Sequence, residues 1–133
     1  MRAVLDTNVV VSAFLSPVGK PAVILQLVLR GDIDVSFNTA ILTEYEQVLV
    51  RSKFAGKIHQ RDIQRFFEIM YDIGNNIISI PSNIDMPDET DRKFYGTAKS
   101  CGAYLITGNT RHYPVESFIV TPAQFLALLK AEK

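Results

Sequence analysis

Short apolar runs alternate along the chain with longer segments whose apolar residues recur at helical spacing. That alternation predicts an α/β sandwich with a mainly parallel central sheet, because parallel strands need a helical crossover between them. Residues 2–6 predict a first strand, and residues 7–15 a helix capped by Thr7 or Asn8 and ended before Pro17. In "PAVILQLVLRG" Pro21 stands at the first helical position and Gly31 just past Arg30, the expected order of start and stop residues. Apolar residues surround this helix, which predicts burial on both sides, either in the core or in a subunit contact. A second strand over 34–38 leads through Asn38 or Thr39 into a helix over 40–51.

The helix predicted over 60–72 carries Ile63, Phe66, Phe67, Met70 and Tyr71 at the spacing of one buried face. "IISI" (77–80) predicts a short strand stopped by Pro81, and "SNIDMPDE" a loop. Thr90 is expected to cap a helix running to Cys101, with Phe94, Tyr95, Ala98 and Cys101 inward and Gly102 as its stop. "AYLIT" (103–107) and "SFIV" (117–120) predict two further strands, and Thr121 with Pro122 starts the last helix. The pattern contains no repeat and no linker, so residues 1–133 are expected to form one domain.

Composition narrows the possibilities little. With 47% hydrophobic and 21% charged residues the chain has the makeup of an ordinary globular protein. Fourteen basic residues balance fourteen acidic ones, so any nucleic acid must be drawn by a local basic patch and not by net charge. A single cysteine, Cys101, excludes an internal disulfide and a cysteine-rich zinc site, which suits a cytoplasmic setting. The N-terminal apolar stretch is cut by Asp6, and no run reaches the roughly 18 to 20 apolar residues of a membrane span.

In an open parallel sheet, ligands gather beyond the carboxyl ends of the strands, where strand order reverses. Two predicted strand ends are conspicuously polar: Asp6-Thr7-Asn8 after the first and Thr107-Gly108-Asn109 after "AYLI". From local sequence, Asp6 and Asn8 serve a helix cap as readily as a site. Asp88, Glu89 and Asp91 crowd the start of the helix at Thr90, and three acids in four residues exceed what a cap requires. Carboxylates gathered without bases repel one another unless a cation binds, and oxygen donors alone suit Mg²⁺ or Mn²⁺, ions that serve phosphate chemistry.

The strings "VLDTNVVVSAFL", "ILTEYEQVL", "DETDRKFYGTAKSCGAYLITGN" and "HYP" resemble, in order and spacing, the successive blocks of the PIN domain family. Within that family the chain is most similar to VapC-like toxins of toxin–antitoxin pairs. The resemblance implies a three-layer α/β/α fold and a Mg²⁺- or Mn²⁺-dependent endoribonuclease whose metal is held by Asp6, Glu44 and Asp91. It also implies RNA as substrate, a cognate antitoxin that covers the acidic site and a homodimer; no membrane partner is expected, on the missing apolar span and not on the resemblance. Thr7 and Asn8 match the small polar residues after the first acid, with Asn8 orienting it, and Asp88 matches a less constant acid of the late loop. Asp88 or Asn109 would position the attacking water.

On the helix over 40–51, Glu44 and Glu46 lie on opposite borders of the apolar stripe, equally far from its centre. Periodicity cannot choose between them; only the resemblance points to Glu44. The chain departs from the family at Asn109, where many members carry Asp, which weakens the expectation of a tightly held second metal. Thr107, Arg111 and His112 come to the same rim as supporting or RNA-contacting residues, joined by Lys20, Lys53, Lys57, Arg61, Arg92 and Lys93 as candidate phosphate contacts. A rival reading, a PIN-like module without catalysis that binds RNA or protein, rests on Asn109. A phosphate-accepting receiver domain would need an acidic pair at the first strand end and a late lysine, and a haloacid-dehalogenase-like phosphatase an Asp where this chain has Asn8.

Overall fold

The computed structural model describes residues 1–78 and 84–132. Strands β1 (Arg2–Leu5), β2 (Asp34–Phe37), β3 (Asn75–Asn76), β4 (Tyr104–Ile106) and β5 (Ile119–Val120) form one sheet in the order β3-β2-β1-β4-β5, every pairing parallel. Six helices accompany it among the described residues: α1 (Thr7–Leu15), α2 (Lys20–Leu29), α3 (Thr39–Leu49), α4 (Gln60–Ile73), α5 (Arg92–Cys101) and α6 (Pro122–Glu132). The whole is a PIN-like α/β/α sandwich.

Ala3, Val4 and Leu5 of β1 are wholly buried, as a central strand covered on both faces requires. The chain runs from β1 outward to β2 and β3, then returns to place β4 on the other side of β1. Strand order therefore reverses at β1, and the carboxyl ends of β1 and β4, paired from Ala3–Tyr104 to Leu5–Ile106, open the crevice where such folds take ligands. Tyr45 of α3 is fully buried, its ring stacked on Phe94 of α5, and its hydroxyl donates to the Leu5 carbonyl. This bond ties α3 to the end of β1, one residue before Asp6.

Several boundaries differ from the expectation. The cap of α1 is Asp6, not Thr7 or Asn8: its backbone is extended and its carboxylate accepts from the Thr7 N–H. Pro21 occupies the second position of α2, which opens at Lys20. Asp88, not Thr90, caps a 3₁₀ turn (Glu89–Asp91), and α5 starts only at Arg92. The third strand comes at Asn75–Asn76, two residues before the expected "IISI", of which residues 79–80 lie outside the described residues, as do 82–83 of the expected loop. Tyr71 is 69% exposed, because α4 turns that edge away from the core that Ile63, Phe66 and Met70 fill. At α6 the cap matches the expectation: the Thr121 hydroxyl accepts from the Gln124 N–H, and the Gln124 side chain accepts in return from the Thr121 N–H. No single helix among the described residues is long and apolar enough to cross a membrane.

Candidate active site at the ends of the central strands

Asp6 directly follows β1 and is 5% exposed. Its Oδ1 accepts from the Thr7 N–H at 2.7 Å, and its Oδ2 from the hydroxyls of Thr107 at 2.8 Å and Tyr113 at 2.9 Å, with the Asn8 amide at 3.3 Å. Burial is the largest influence on this carboxyl and raises its pKa above the ordinary value; the bonds from Thr107, Tyr113 and Thr7 only partly offset it, and the nearby Glu44 charge adds to the rise. Burial also holds the Tyr113 hydroxyl far above its usual pKa, so Tyr113 stays a hydrogen-bond donor throughout the working range.

Asn8 joins the two strand ends, because its Oδ1 accepts from the Gly108 N–H at 2.8 Å while its Nδ2 reaches Asp6. A side chain at Gly108 would crowd this contact, since a Cβ there would lie 3.1 Å from Asn8 Oδ1. Glu44 projects from α3 to the same place. Its Oε2 accepts from the Thr7 hydroxyl and its Oε1 lies 2.6 Å from Lys93 Nζ. Glu46 is exposed and lines a shallow surface groove with Val50, Gln60 and Tyr71. Tertiary structure thus separates two glutamates that helical periodicity left equivalent.

Asp91 closes the 3₁₀ turn before α5. Its Oδ2 is buried without a hydrogen bond; His112 Nδ1 stands 3.6 Å away, outside hydrogen-bond reach. Burial first, then the charges of Asp6 and Asp88 and that of Glu44, push its pKa up to about 6, against a smaller opposing pull from His112. Asp88 is exposed, and its Oδ1 accepts from the Thr90 N–H and hydroxyl, which hold its carboxyl below the usual value. The Asn109 amide meets His112 Nε2 at 2.9 Å, and its N–H donates to the Thr107 hydroxyl. The side-chain bonds of Asp88 and Asn109 therefore go to Thr90 and His112, not to Asp6 or Glu44.

Arg111 and His112 are exposed beside Asn109. Arg92 bonds Glu89 through two nitrogens, and Lys53 lies over the Phe54 ring. Two contacts left no mark in the residue pattern: the Tyr113 hydroxyl on Asp6, 107 residues away, and the Lys93 ammonium on Glu44. Neither follows from a period or a cap, since each depends on how a loop and a helix dock.

Among the described residues no group of three or more His, Cys, Asp or Glu stands ready to hold a metal ion, and donors engage the Asp6 and Glu44 oxygens. The carboxylates still fit a divalent cation on one observation. A buried Asp91 oxygen has no hydrogen bond, and the charges of Asp6, Asp88 and Glu44 all act to protonate that group. Hard oxygen donors of this kind suit Mg²⁺ or Mn²⁺.

The raised carboxyl has a measurable cost. Where the native pKa of an acid exceeds its unfolded value, the native state binds the proton more tightly, and stability falls as pH rises from about 4 to about 6. Without divalent metal, Asp91→Asn should therefore be more stable than wild type at pH 7.5, by on the order of 1 kcal/mol once screening at the rim is allowed for, and equal to it near pH 4. Thermal melts in EDTA at the two pH values check this; an equal gain at both would mean the amide stabilises by packing.

Comparison with known proteins agrees with this architecture. A family profile described as PIN domain matches residues 2–111. No match emerged among curated proteins or among solved structures. The match spans β1 through the turn after β4, so it contains every carboxylate described above, and on it the chain belongs to the PIN domain family.

Proposed function

We propose that the protein is a Mg²⁺- or Mn²⁺-dependent endoribonuclease and the toxin of a type II toxin–antitoxin pair. PIN domains are generally nucleases that act on nucleic acids and bind divalent metals. The observation that carries the reading for this chain is the buried, unbonded Asp91 oxygen in electrostatic contact with Asp6 and Glu44 where strand order reverses.

Asp6, Glu44 and Asp91 would hold the ion. When bound, it lowers the pKa of water and stabilises charge developing on the phosphoryl oxygens. The rest is work for the chain itself. Thr107, Tyr113 and the Thr7 N–H hold the Asp6 carboxylate in one rotamer, and Thr7 does the same for Glu44. Asn8 accepts from the Gly108 N–H and would hold the ends of β1 and β4 together beneath a substrate. Arg111 and His112, both exposed, would take RNA phosphate, and Asp88 or Asn109 would position the attacking water. By family analogy the products carry 5′-phosphate and 3′-hydroxyl ends. The antitoxin would cover the acidic rim, a homodimer is expected with the partly exposed Val23 of α2 in reach of a second subunit, and the setting is cytoplasmic.

Short labelled RNAs, unstructured and hairpin, incubated with purified protein and Mn²⁺ test the reading: cutting that stops with EDTA supports it, and failure to bind Mn²⁺ at all overturns it. Metal affinity should also depend on pH. An ion must displace the Asp91 proton, so Mn²⁺ binding measured by calorimetry should weaken by about tenfold per unit as pH falls below about 6 and level off above it. A second reading, a PIN module that binds RNA without cutting, is favoured only by Asn109, whose amide is engaged with His112. Bound Mn²⁺ together with RNA cleavage would exclude it.

A further inference from the structure

Lys93 is the second residue of α5, two positions after Asp91, and its ammonium lies 2.6 Å from Glu44 Oε1. Both side chains are 23% exposed, so the pair is sheltered at the rim and not a fully solvated surface contact. The ammonium also donates to the Thr90 carbonyl, and it lies 5.2 Å from the centre of the Phe94 ring. Glu44 thus has a partner on each oxygen: the Thr7 hydroxyl on one, Lys93 on the other. By contrast, the hydrogen-bond partners of Asp6 are all neutral. Among the acids assigned to the metal, the one whose charge is matched by a lysine is the one contributed by a different helix.

We propose that Lys93 is a built-in stand-in for the divalent cation: its ammonium holds Glu44 in the metal-free protein and must leave Oε1 when the cation takes that oxygen. This rests on the metal-dependent reading above and adds to it a competitor encoded in the chain. The exchange is one cation for another: the Lys93–Glu44 ion pair is released and no covalent bond of the protein changes. Lys93 keeps Glu44 aimed at Asp6 while no metal is present and weakens metal binding by the strength of its own hold. An ordinary supporting salt bridge would act the other way, since its loss would disorder Glu44 and loosen the metal.

The experiment is Mn²⁺ titration of the full chain by calorimetry, for wild type, Lys93→Gln, Lys93→Met and Lys93→Arg. Lys93→Met keeps the alkyl stem against Phe94 should the polar variant fail to fold. Both neutral variants should bind Mn²⁺ about tenfold more tightly than wild type, as expected on removal of a partly sheltered competing charge, and Lys93→Arg should stay within about threefold of it. In a Glu44→Gln background, Lys93→Gln should no longer tighten binding. Unchanged or weaker binding in the folded neutral variants, beside a wild type that binds, overturns the role of Lys93 alone. If neither wild type nor any variant binds Mn²⁺, both the competitor and the metal-dependent nuclease fall.

Discussion

Asp6→Asn should lower RNA cleavage at least about 10³-fold while leaving the fold in place. The two halves of that outcome have separate causes. Activity falls because an amide keeps one neutral oxygen where the carboxylate offered two charged ones. The fold survives because the closest partners can adapt: Oδ1 can still accept from the Thr7 N–H, while an amide nitrogen at the Oδ2 position can donate to the hydroxyl oxygens of Thr107 and Tyr113, and only the longer Asn8 amide contact at 3.3 Å is lost. Loss of a buried charge that burial disfavours further compensates the lost bonds. Melting temperature within a few degrees of wild type, with no cleavage, is the expected pair of readings. Retained cleavage would remove Asp6 from the site, and a collapsed melting temperature would mean that the charge itself holds β1 to β4.

Gly74→Ala should destabilise the protein by about 2–3 kcal/mol although it lies on the far side of the sheet from β4. Gly74 ends α4 with an ordinary negative φ, so conformation is not the obstacle. Contact is: a Cβ there would lie 2.1 Å from a ring carbon of Phe37 and 2.7 Å from the Met70 carbonyl oxygen. Phe37 is buried at the end of β2, with Ile77 bonded to its carbonyl and Tyr71 against its ring edge, so it has little freedom to yield. Urea denaturation should show a lower midpoint with an unchanged slope. A midpoint equal to wild type would show that Phe37 can repack.

The layered architecture was legible because β1, β2 and β4 are apolar runs set between helices, a signal that depends only on local periodicity. The short edge strands were harder. Asn75–Asn76 carries no apolar pattern and becomes a strand only because β2 supplies partners for its backbone. Two of the caps failed for a related reason: Thr90 and Thr7 are good caps by composition, yet Asp88 and Asp6 hold those positions because their backbones are the extended ones. At the site, Asp6 and Thr107 could be placed from their positions at strand ends, and both lie there. Glu44 could not be told from Glu46, since the difference is which border of α3 faces α1 and α5, a tertiary fact. Tyr113 lies in the loop after β4, where no period applies and only its buried hydroxyl reveals its partner.

The bonds from Thr107 and Tyr113 to Asp6 span 101 and 107 residues, and they give the site a place in time as well as in space. Contacts so distant along the chain form late, after the closure cost of the intervening segment has been met. During synthesis, Asp6 emerges first but has neither hydroxyl donor until β4 and the segment through Tyr113 have left the ribosome and docked against β1. In a nascent chain the earliest acid thus waits on almost the last strand.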